Sequence, residues 1–111
     1  MNRKINLAQS LEAAIDEPLE WAVIGSEYWE PEDPDEFGVP LSAKYHVLPW
    51  SEAKRYLDYE YDDGFGGADC NPVFAWSANW IVYVHEYDGA TAPARIPRNP
   101  ANCRPTWGDL Q

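Results

Sequence analysis

The 111-residue chain predicts an α+β domain, an antiparallel sheet of four to five short strands packed against helices, and three observations predict it. Apolar residues recur at helical spacing near the N-terminus, at Leu7, Ala8, Leu11, Ala14 and Ile15. Short β-prone runs then alternate with turn residues, and the chain carries ten prolines and seven glycines. Between two such runs stands Asp88-Gly89, the pair a two-residue type I′ hairpin wants, because both positions take positive φ. Hydrophobic content of 45%, with six Trp, seven Tyr and three Phe, argues against wholesale disorder. The length suits a single domain over 1–111 with one core.

The helix falls at 6–16, within an N-terminal segment 1–18. Asn6 can cap it, with Gln9 three residues on in a capping-box relation. Pro18 stops it, since the residue before a proline is pushed out of α geometry. Leu19 to Ser26 reads as an interior strand, with Trp21 and Val23 on one face and Ala22 and Ile24 on the other. Residues 27–40 hold three prolines, six acids and no base, which predicts an extended, solvated loop. Leu41 to Leu48 is a short strand closed by Pro49. Ser51 then caps a second short helix whose Ala53 and Leu57 share a face.

From Asp58 the run alternates, placing Tyr59 and Tyr61 inward and Asp58, Glu60 and Asp62 outward. A glycine-rich turn follows at 63–67. Val73 to Trp76 and Trp80 to Tyr87 are successive strands. The second is apolar on both faces and so is expected at the middle of the sheet. Ala90 to Ile96 returns after the hairpin. Pro93 cannot donate to a ladder and puts that strand at an edge. The tail, 97–111, is expected to pack as irregular coil pinned by Trp107.

Net charge is −11, from 19 acids against 8 bases, which disfavours direct binding of DNA or RNA through phosphate neutralisation. Ten acids and no base lie between Lys4 and Lys44, and seven acids and no base between Arg55 and Arg95. Arg95, Arg98 and Arg104 gather near the C-terminus, and their plainest role is to balance the protein's own acids. No run is long enough to span a bilayer, and Gln9, Ser10 and Glu12 interrupt any signal-like start. Cytoplasmic location is therefore expected, with Cys70 and Cys103 as reduced thiols.

Motif chemistry is sparse. Counted from Asp58, acids stand at positions one, three, five and twelve of an EF-hand loop (Asp58, Glu60, Asp62 and Asp69). Asp63 occupies the place of the obligatory glycine, and no exiting helix can follow through Pro72. These four remain weak metal candidates, and no cofactor is expected. Cys70 with His85 and Asp69 could form a thiol–imidazole pair, yet no local signature surrounds Cys70, and a buried structural cysteine is the commoner case. No carboxylate pair has an apolar setting that would raise one pKa for glycoside hydrolysis. The Gly64-Phe65-Gly66-Gly67 loop lacks the lysine of a phosphate cradle and is surrounded by acids.

What stands out is acid interleaved with aromatic residues, because Trp and Tyr supply binding energy at protein interfaces. The expected partner-binding set is Trp29, Glu30, Glu32, Asp33, Asp35 and Glu36 in the loop, with Asp58, Tyr59, Glu60, Tyr61, Asp62 and Asp63 in the second segment. Its partner would be a basic protein surface. In size, charge and these two acid-only stretches the chain resembles small phage and mobile-element inhibitors, among them anti-restriction and anti-CRISPR proteins that mimic DNA. That resemblance is compositional. It implies a non-catalytic inhibitor acting in the host cytoplasm on a nucleic-acid-handling protein, and it transfers no site residue. Two other readings stand beside it: a small calcium-binding protein or hydrolase using the 58–69 carboxylates, and an interaction module whose charge is incidental.

Overall fold

A computed structural model describes residues 4–64, 69–87 and 90–106. The elements run β1 (Lys4–Asn6), α1 (Leu7–Ala13), β2 (Leu19–Ile24), a single 3-10 turn (Leu41–Ala43), β3 (Leu48–Pro49), α2 (Trp50–Leu57), β4 (Glu60–Asp62), β5 (Val73–Ser77), β6 (Trp80–Tyr87) and β7 (Ala90–Pro97). Both sheets are antiparallel. Five strands form one sheet in the order β3-β2-β5-β6-β7, and β1 pairs with β4 in a two-stranded ribbon. The α+β class holds, with both helices on one side of the large sheet.

Helix α1 starts where expected: the Asn6 side chain accepts the backbone N–H of Gln9 at 3.0 Å. It buries Leu7, Ala8 and Leu11, and Ile15 continues the stripe beyond the last turn. Helix α2 begins one residue earlier than expected, at Trp50, after Pro49, and no side chain caps it. Pro49 pre-sets the entry, and Ser51 sits inside the first turn instead. Ala53 and Leu57 are fully buried on one face. Glu12 joins the helices, accepting Trp50 Nε1 and Lys54 Nζ, each at 3.1 Å.

The core lies between these helices and one face of the sheet, where Ala22, Ile24, Val73, Ala75 and Val82 alternate inward. The strand expected at 41–48 shrinks to Leu48–Pro49. Its chain is spent on the 3-10 turn and on Tyr45, whose φ of 67° lies in the left-handed region and breaks any ladder. Tyr45 N–H still caps Ile24 O at 3.0 Å. The middle of the sheet is β5, not β6. Strand β6 is buried on one side through Val82, while Ile81 and Tyr83 on the other side stay half-exposed, since the described residues lay no second layer over them. Strand β7 is the edge strand that Pro93 requires. Tyr87 is the register partner of Ala90, as a two-residue loop demands, although residues 88–89 lie outside the described residues. The tail departs from expectation: residues 98–106 are exposed rather than packed, and Trp107 falls outside the described residues.

Candidate functional site

The 27–40 loop is half anchored and half presented, which corrects its reading as solvated throughout. Val39 is fully buried and Phe37 stacks on the Tyr59 ring with centroids 5.0 Å apart. Asp35 is the anchor. One carboxylate oxygen accepts the N–H groups of Phe37 and Val39, each at 2.9 Å, and Gly38 closes the turn at a φ of +85°. The other oxygen accepts Asn71 Nδ2 at 2.9 Å and lies 2.8 Å from Lys44 Nζ, whose side chain is completely buried. Burial opposes ionisation of Asp35. The hydrogen bonds from Lys44, Asn71, Val39 and Phe37 outweigh it and hold the carboxyl below its ordinary value of 3.8.

Asn71 ties this anchor to the second acidic segment. It is buried, donates to Gly25 O at 3.1 Å, and exchanges hydrogen bonds with the Tyr59 hydroxyl, both at 2.8 Å. Sequence reasoning missed Asn71 and Lys44, because one is an unremarkable residue between Cys70 and Pro72 and the other lies in a segment read as strand. The fold thus joins the two acid-only windows. Their charges crowd: burial first, then the hydrogen bond and charge of Glu36 and the charge of Asp69, push the Glu27 carboxyl above 4.5.

The expected binding residues separate into two groups. Trp29 is 97% exposed, and Glu30, Glu32, Asp33 and Glu36 are exposed around it. Asp33 also accepts Leu41 N–H at 3.0 Å, and the Asp33–Pro34 bond is cis. Asp35, Tyr59 and Tyr61 belong to the interior instead: Asp35 is the anchor, Tyr59 the stacking partner, and Tyr61 is buried, its hydroxyl accepting Thr91 Oγ1 at 3.3 Å. Asp58 accepts Asn6 Nδ2 at 2.8 Å, Asp62 accepts Gly64 N–H at 2.9 Å, and Glu60 faces solvent. Asp63 lies just beyond β4, with its carbonyl accepting Thr91 N–H at 3.1 Å.

The four EF-hand-like acids do not converge. Among the described residues, no group of three or more His, Cys, Asp or Glu side chains is placed to hold a metal ion. The glycine loop at 65–67 lies outside the described residues. Cys70 and His85 are apart, the thiol in the core and the imidazole on the outer side of β6. Burial pushes the Cys70 thiol up to about 12, so it stays protonated and unreactive. The two cysteines are unbonded, Cys103 being exposed. We therefore expect iodoacetamide to label Cys103 in the native protein and Cys70 only after unfolding, which mass spectrometry of the digested protein reads directly.

The C-terminal arginines are largely committed. Arg98 donates to Ser77 O at 2.8 Å and lies 3.6 Å from Glu20, and Arg95 sits 4.4 Å over the Trp80 ring. Among the described residues, no helix is long and apolar enough to cross a membrane. No protein-family model, curated protein or solved structure matches this chain. Function must be argued from the geometry.

Proposed function

We propose that the chain is a non-catalytic binding protein that occupies the basic, nucleic-acid-handling surface of another protein by imitating nucleic-acid charge. The observation that supports this reading is the loop itself. An anchored base holds a fully presented Trp29 among Glu30, Glu32 and Glu36, on a loop whose Glu27 feels the charge of Asp69 from the second acidic window. Crowded carboxylates approximate the charge density of a duplex, roughly one charge per 1.7 Å of axis. A presented Trp supplies the desolvated contact that charge alone does not, and preorganisation of the loop spares ordering entropy on binding. A basic surface meeting this one would be steered to it quickly, and salt would weaken the encounter.

Metal binding through the 58–69 carboxylates is the competing reading. A ligand that binds only the native state must raise its stability. We expect millimolar calcium to leave the midpoint of thermal unfolding unchanged, and a clear upward shift would restore the metal reading. Salt dependence separates charge mimicry from an incidental interaction module, because only the first loses its partner as ionic strength rises.

A further inference from the structure

The helices cover one face of the five-stranded sheet, and on the other the described chain lays no second layer, only the Val47 and Arg98 side chains beside Trp21 and Trp76. Side chains on that outer face stand in two rows set by strand register. Trp21, Trp76, Ile81 and Ile96 are successive partners in one row, and Phe74 and Tyr83 are partners in the next. Phe74 is 59% exposed, Ile96 47% and Trp21 44%. In a chain that is 24% charged, the two rows carry no Asp, Glu, Lys or Arg, and the exposed Glu20, at the β2 bulge beside Trp21, pairs with Arg98 at their border. At the rim, Arg98 is already spent on Ser77 and Glu20. A single scattered apolar side chain means little, but a contiguous face of this kind marks a contact surface.

We propose that this face is the interface of a twofold dimer of the chain. Register makes it self-complementary. A twofold axis along the strands, between β5 and β6, lays Trp21 against Ile96 of the second copy, Trp76 against Ile81, and Phe74 against Tyr83. Each large ring meets a residue that can seat it, with the two sheets aligned at the usual small angle. Four strands about 4.8 Å apart, read over about six residues, span a projected patch of about 400 Å². Raised rings add accessible area to that projection, which brings two copies toward the roughly 1,200 Å² at the lower end of specific interfaces.

Charge points the same way. Two chains of net charge −11 repel, and they approach most easily through a surface whose one acid, Glu20, is already paired with Arg98. Salt screens that repulsion, so dimerisation strengthens with ionic strength, opposite in sign to binding through the acidic loop.

The test is sedimentation velocity on the full chain with reductant present, which removes any disulfide through the exposed Cys103. From about 1 to about 200 µM, the mass should rise from 12.6 kDa to twice that, with a dissociation constant on the order of 10 µM that falls as salt is added. Phe74→Glu should remain at 12.6 kDa throughout, and Trp29→Ala should associate like the wild type. Ile96→Glu, on the edge strand, supplies the same test if Phe74→Glu fails to fold. A wild type that stays monomeric overturns the proposal, even if it retains a different protein through this face. So does growth beyond two copies, or association that survives both substitutions.

Discussion

Replacing Asp35 by Ala is expected to lower the unfolding free energy by about 3–5 kcal/mol, because it strands a buried ammonium. Lys44 Nζ has no exposed surface and lies 2.8 Å from the Asp35 carboxylate. The substitution also leaves the N–H groups of Phe37 and Val39 without their acceptor. Lys44→Met should cost less, since Asp35 keeps Asn71 and two backbone donors. The double variant should cost less than the sum of the two, because no unpaired charge is left inside. Urea unfolding of the four proteins measures all three quantities.

The same anchor predicts an acid limb. The folded-state pKa of Asp35 is depressed, so its contribution is present above the unfolded value near 3.8 and is lost as pH falls through the lower folded value. Wild-type stability should therefore drop more steeply below about pH 4 than that of Asp35→Asn. Parallel acid limbs for the two proteins would remove Asp35 from its place as the anchor.

The class and most of the element order were legible in the sequence because local signals set them. Asn6 capped its helix, Pro18 followed the helix end, and alternation correctly turned Tyr61 inward. What could not be read was long-range. Nothing in the run around Asn71 announces that it spans from Gly25 and Asp35 to Tyr59, contacts separated by 46, 36 and 12 residues. Lys44 reads as a surface base until burial shows it to be the counter-ion of Asp35. Strand β6 looked central because both its faces are apolar. That pattern assumes a second layer, and the same residues suit an uncovered face.

The second large effect concerns the presented half of the loop. Trp29→Ala combined with charge reversal at Glu30 and Glu32 should cost at least about 2 kcal/mol of partner affinity, roughly 30-fold, as expected when an interface loses its aromatic anchor and neighbouring charges. These three side chains are exposed and stand outside the Asp35 anchor, so the unfolding midpoint should move little. Reversal at Asp35 would confuse the two effects, because it unfolds the support along with the surface.

The most direct test of charge mimicry is capture from a lysate of the native host on immobilised wild-type protein and on this triple variant, at low salt, with and without duplex DNA as competitor. The account predicts that the wild type retains a basic, nucleic-acid-handling protein, that salt and duplex DNA each release it, and that the triple variant fails to retain it. Retention of the same protein by both baits, undiminished by DNA or by salt, would contradict it.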